Sequence, residues 1–133
     1  HAALLNVKLK YFPAWVKRRK EIAEMYRLGL SGISQVQAPH FTDERFSDVY
    51  TNYVVRAERR DELKKFLDEK GVETLISWPI PMYKQPLLMP NDISLPETEK
   101  ICSEVISLPM YPELSNEQVD YVIEQIKNFY ANC

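Results

Sequence analysis

The sequence predicts an α+β domain: a small, mostly antiparallel sheet of three to four strands, flanked by helices at both ends of the chain. Three observations predict it. Its 133 residues, 45% hydrophobic and 27% charged, suffice to close one core without metals or disulfides. Residues 49–78 read as strand, short helix, glycine and strand, a unit whose helix packs on one sheet face. The last residues carry a continuous apolar stripe at helical spacing, Val119, Val122, Ile123, Ile126 and Tyr130.

Taken in order, Ala2 to about Leu9 is helix-forming, and Pro13 suits the first turn of a second helix, where its missing N–H costs nothing. That helix runs from about Pro13 to Leu28, with Trp15, Ile22, Ala23 and Tyr26 on one face and Gly29 as a left-handed C-cap. Val36-Gln37-Ala38-Pro39 is a short extended piece, and Val49–Val55, β-branched and aromatic, is the first full strand. Asp61 to Lys70 forms a helix burying Leu63, Phe66 and Leu67, with Lys64, Lys65 and Asp68 facing solvent, and Gly71 stops it. Val72 to Trp78 is the next strand. The segment 79–86, with Pro79, Pro81 and Pro86, is an ordered extended loop or a lid.

Ser94 with Glu97 reads as a capping box opening a helix whose Thr98, Ile101, Cys102 and Val105 share a face, which puts Cys102 in the core. Val105–Leu108 is a last short strand. Ser115 with Gln118 repeats the capping box at the start of the C-terminal helix.

Composition narrows the function. Three glycines, at 29, 32 and 71, are too few for a phosphate-cradling loop. A net charge of −2 supplies no field to attract a nucleic-acid backbone. The cations of Lys17-Arg18-Arg19-Lys20 cover more than one helical turn and point several ways, with Glu21 and Glu24 close by, so they read as a solvated face. No apolar run approaches the roughly 18 residues needed to cross a bilayer, and no signal peptide is evident, so a cytoplasmic protein is expected. Cys102 and Cys133 make no CxxC pair. His1 and His40 build neither a triad nor a metal site, and Asp43-Glu44 and Asp61-Glu62 are explained by helix starts and loops. The opening on His1, running straight into Ala2-Ala3-Leu4-Leu5, reads as a piece of something longer.

The unusual feature is the proline-rich loop. Trp78, Tyr83 and Gln85 stand on a backbone stiffened by Pro79, Pro81 and Pro86, which suits a binding wall because little entropy is lost on contact. The same residues also suit a cover for the sheet edge and core.

Several segments resemble one family. Ala2-Ala3-Leu4-Leu5-Asn6-Val7-Lys8-Leu9-Lys10-Tyr11, then Trp15, Arg18, Arg19, Ile22-Ala23 and Tyr26, resemble the start of the C-terminal small domain of the DegT/DnrJ/EryC1/StrS pyridoxal-phosphate sugar aminotransferases. Val54-Val55-Arg56, Arg60-Asp61-Glu62-Leu63 and Gly71-Val72-Glu73-Thr74 are similar to its strand, helix and turn. The run 78–86 is similar to its proline-rich active-site loop, and 104–115, Glu-Val-Ile-Ser-Leu-Pro-Met-Tyr-Pro-Glu-Leu-Ser, resembles its most specific signature.

The resemblance implies that residues 1–133 are the C-terminal small domain of a longer fold-type I enzyme, with 1–30 packing on a missing N-terminal large domain. It implies a homodimeric parent that moves an amino group, from an amino acid such as glutamate, to a nucleotide-linked keto-sugar. Pyridoxal phosphate, its Schiff-base lysine and most phosphate contacts belong to the large domain, so this chain alone is expected to hold no cofactor and no catalytic residue. Ser77, Trp78, Tyr83 and Gln85 are the candidate substrate-binding residues. Where many members carry histidines in this loop, this chain has Ser77 and Tyr83, whose hydroxyls are expected to replace a substrate-contacting imidazole. Two other readings stay open: a stand-alone α+β module binding a ligand or protein, and a regulator of the same ancestry. A severed domain would leave Leu4, Leu5, Leu9 and Phe12 uncovered.

Overall fold

A computed structural model of the chain describes residues 1–39, 47–85 and 93–131. The expected α+β architecture is present: a three-stranded antiparallel sheet in the order β1-β2-β3, packed by helices. Helix α1 (Ala2–Leu9) has no buried residue, and α2 (Phe12–Leu30), with Pro13 in its first turn, buries Ile22, Ala23, Tyr26 and Leu30. Leu4, Leu5, Leu9 and Phe12 are all exposed.

Helix α2 does not stop at Gly29. The left-handed glycine of the described residues is Gly71, whereas Gly29 is helical and lies against α5 (Asn116–Ala131). A Cβ at Gly29 would sit 2.6 Å from Ile123 Cδ1 and 2.8 Å from its Cγ2. Glycine is therefore needed here for close approach between helices. Gly29→Ala gains about 0.8–1.0 kcal/mol of helix propensity but overpacks the contact by about 1–3 kcal/mol, so a net loss near 1 kcal/mol is expected in urea unfolding. Ile123→Ala in the same chain should turn the alanine from harmful to favourable.

Strand β1 (Val36–Gln37) pairs with β2 (Tyr53–Ala57), which pairs with β3 (Val105–Leu108), setting Tyr53 opposite Leu108 and Val55 opposite Ile106. Tyr53, Val55 and Ala57 face the core, while Val54 is exposed. The expected strand 49–55 starts late because a turn occupies its first half. Asp48 Oδ1 accepts the Tyr50 N–H at 2.7 Å, and Tyr50 has φ 49°, which no strand tolerates.

Helix α3 (Arg60–Glu69) ends in a Schellman arrangement: Gly71 has φ 75°, the Val72 N–H reaches the Leu67 carbonyl at 2.9 Å, and both of those side chains are buried. The strand expected over 72–78 reduces to one antiparallel bridge, Leu75 to Ser107, with N–H···O distances of 3.2 and 2.8 Å. Two causes stop it. The next hydrogen-bonded register in one direction falls on Pro109, which has no N–H. In the other it falls on Val105, whose carbonyl is taken by Arg60 Nη1 at 3.0 Å.

Helix α4 (Pro96–Glu104) has no buried residue and its N-cap is Leu95, with no side-chain cap. The Ser94–Glu97 box does not form, and Cys102 is half-buried rather than core. At α5 the same motif works: Ser115 N–H donates to Gln118 Oε1 at 2.9 Å, and Gln118 N–H to Ser115 Oγ at 3.3 Å. Its inner face buries Val119, Val122, Ile123, Ile126, Phe129 and Tyr130 against α2 and α3.

Candidate functional site

The four sequence-derived candidates lie on the described part of the proline-rich loop. Past the Leu75 bridge the chain leaves the sheet, and Ser77 is exposed. Trp78 is 66% exposed, with Ile80 and Met82 also outward. Pro81 is buried and anchors the loop before a single 3-10 turn, Met82–Lys84, closed by Lys84 N–H to Pro81 O and Gln85 N–H to Met82 O at 3.0 Å each. Trp78 therefore covers no core. Gln85 is half-buried; Pro86 lies outside the described residues, as do His40, Asp43, Glu44 and Cys133.

Tyr83 turns toward α4. Its hydroxyl donates a short hydrogen bond to Glu99 Oε1 and accepts the Leu95 N–H at 3.2 Å. The other carboxylate oxygen, Glu99 Oε2, is 2.7 Å from Lys84 Nζ. Hydrogen bonds from Lys84 and then Tyr83 hold the Glu99 carboxyl below its ordinary range, while Glu99 holds Lys84 above its own. Desolvation first, and the bond to Glu99 second, raise the Tyr83 phenol. Sequence reasoning missed Glu99, which is 16 residues from Tyr83 and looks like any acidic first-turn residue.

Several other charged groups are engaged in contacts within the fold. Arg18 donates to Leu114 O at 2.7 Å and Asn116 Oδ1 at 2.8 Å, and Lys20 to Ser47 Oγ at 2.6 Å, so the basic run diverges as expected. Asp61 and Glu62 pair with Arg60 and Arg59 in the first turn of α3. Among the described residues there is no cluster of three or more metal-ligating side chains, and no helix long and apolar enough to cross a membrane. A separate cleft of about 640 Å³, lined by Thr74, Leu75, Tyr111, Gln118 and Tyr121 among others, contains none of the four candidates.

A family model described as the DegT/DnrJ/EryC1/StrS aminotransferase family matches residues 1–127. The chain belongs to this family. It is 40% identical over 136 aligned residues to the pleiotropic regulatory protein of Geobacillus stearothermophilus, covering 98% of this chain and 36% of that protein. It is 34% identical over 131 residues to the dTDP-3-amino-3,4,6-trideoxy-alpha-D-glucose transaminase of Streptomyces venezuelae, covering 96% and 34%. The crystal structure of S. venezuelae DesV in complex with a ketimine intermediate superposes with a TM-score of 0.89 at 34% identity, over 96% of this chain and 35% of that one. The chain thus spans about a third of the length of the relatives it matches.

Aminotransferases of this family depend on pyridoxal phosphate, whose covalent anchor must be a lysine able to present a neutral amine. Lys84, the lysine on the candidate loop, is ion-paired at 2.7 Å and kept protonated by Glu99. Lys64 is held by Asp68 at 2.9 Å and by the Thr74 carbonyl at 3.2 Å.

Proposed function

We propose that this chain is the C-terminal domain of a sugar aminotransferase, which moves an amino group from an amino acid, glutamate being the expected donor, to a nucleotide-linked keto-sugar in the cytoplasm. Cofactor binding and proton transfer belong to a large N-terminal domain in this reading. The exposed apolar residues of α1 support docking onto that domain or onto a second subunit of a homodimer. The carrying observation is the loop 77–85: a large exposed indole at Trp78, on a backbone stiffened by Pro79 and Pro81 and anchored through buried Pro81. Such a surface can stack on a sugar ring or base with little loss of entropy, while Ser77 and Gln85 add polar contacts.

Trp78→Ala in the full-length enzyme should raise KM for the nucleotide-linked sugar about tenfold, the equivalent of about 1.4 kcal/mol, and leave the cofactor's absorbance unchanged. An unchanged KM overturns the assignment. The similarity to a pleiotropic regulatory protein favours a second reading, a regulator of the same ancestry. In that reading the protein containing this chain would bind the nucleotide sugar without turning it over. A native protein no longer than this chain would favour the stand-alone module instead.

A further inference from the structure

The Tyr83 hydroxyl has one proton and two lone pairs. The proton is committed to Glu99 and one lone pair to the Leu95 N–H, so no donor remains for a substrate. Glu99 in turn uses its two oxygens on two different partners, Tyr83 and Lys84. Exposed ion pairs contribute little stability, and this one is partly exposed. Its consequence is geometric: Tyr83 and Lys84, neighbours in the 3-10 turn, are both fixed by a single carboxylate of α4.

Helix α4 can hold the loop in place because it is itself tied to the sheet. Arg56 Nη2 lies 2.6 Å from Glu104 Oε2, and Arg60 Nη1 donates to the Cys102 and Val105 carbonyls at 3.1 and 3.0 Å. The loop is thereby joined to β2 and α3 through charge-assisted bonds.

We infer that Glu99 is a positioning residue of the nucleotide-sugar site, and that Tyr83 acts through its bond to Glu99, fixing the direction of Trp78, rather than by donating a hydrogen bond to the sugar. This rests on the function proposed above and replaces the expectation that the Tyr83 hydroxyl stands in for an imidazole. The groups facing Glu99 are the Tyr83 hydroxyl, the Lys84 ammonium and the Leu95 N–H. Because the Glu99 carboxyl is held below its ordinary 4.5, the arrangement is intact at neutral pH. It is lost only as pH falls through that lowered value.

The test is a double-mutant cycle read in two ways. In the 133-residue chain carrying Trp15→Phe, so that Trp78 is the single tryptophan, Tyr83→Phe and Glu99→Ala should each lower the fluorescence anisotropy of Trp78, and the double variant should lower it no further. Glu99→Gln, which keeps an acceptor for Tyr83, should restore part of it. In the full-length enzyme the same two variants should each raise KM for the nucleotide sugar about tenfold, with no further rise in the double variant, as for residues acting as a unit. Unchanged anisotropy overturns the inference whatever the kinetics show. KM effects that multiply in the double variant also overturn it, since they would mean that Tyr83 touches the substrate independently. Lowered anisotropy with unchanged KM in the single variants would leave Glu99 as the loop's anchor but overturn its positioning role in the sugar site, while the proposed function itself stands or falls separately on the KM of Trp78→Ala.

Discussion

Tyr26→Ala is expected to lose about 3–5 kcal/mol of unfolding free energy, as for other large aromatic truncations in cores. Tyr26 is 0% exposed on the inner face of α2 and stacks on Tyr53, with ring centroids 5.1 Å apart and planes 30° apart. Its hydroxyl donates to the Pro109 carbonyl at 3.0 Å. Truncation removes the buried ring, its aromatic partner contact and the donor to that carbonyl, at the point where α2, β2 and the end of β3 meet. A domain of this size is stable by only about 5–15 kcal/mol, so the variant should melt at a much lower urea concentration, with its slope unchanged.

Tyr26→Phe separates the contributions: it keeps the ring and loses only the hydrogen bond, at about 1 kcal/mol. A Tyr26→Ala loss no larger than that of Tyr26→Phe would contradict the packing described. Alkali offers a further check, because burial, and then the neighbouring Tyr111 and Tyr53, raise the Tyr26 phenol well above its ordinary 10.0. The stabilisation of the neutral form is complete below that ordinary value. It declines above it as the unfolded chain ionises, so Tyr26→Phe should flatten the loss of stability in alkali.

What the sequence revealed depended on how local the cause was. The Ser115–Gln118 box and the Gly71 stop were legible because every atom involved lies within a few residues. Ser94–Glu97 has the same spacing and fails because of Pro96, which takes the first helical position and leaves Leu95, at φ −126°, as the N-cap. Ser94 then lies one residue too early. Gly29 looked like a stop because a glycine near the end of an apolar pattern usually is one; its cause, Ile123, is nearly a hundred residues away. The strand over 72–78 was cut short where it meets Pro109 and the Val105 carbonyl bound by Arg60, again from outside the local pattern. At the candidate site the prolines made the loop 79–86 legible, whereas the partner of Tyr83 carried no periodic signal at all.

Arg60→Met is expected to lose about 2–4 kcal/mol, because it leaves two carbonyls without donors at about 1–3 kcal/mol each, partly offset by the packing of the thioether chain. Arg60 is 6% exposed, and its guanidinium joins Asp61 Oδ1, at 2.7 Å, to the carbonyls of Cys102 and Val105. Arg60→Lys should recover only part of the loss, since an ammonium lacks the planar fork that serves both sides at once.

The loss should also be uneven along the chain. Helix α4 buries no residue of its own, so without Arg60 it is held to the sheet by the Arg56–Glu104 pair and by its direct continuation into β3. Hydrogen exchange at the α4 amides should accelerate well before that of α5, whose buried stripe is untouched, as local opening precedes global unfolding. Equal acceleration in both helices would mean that Arg60 supports the whole core and not α4 in particular. Selective opening of α4 would carry Glu99 with it, and the anisotropy of Trp78 should then fall in Arg60→Met although no atom of the loop has been changed.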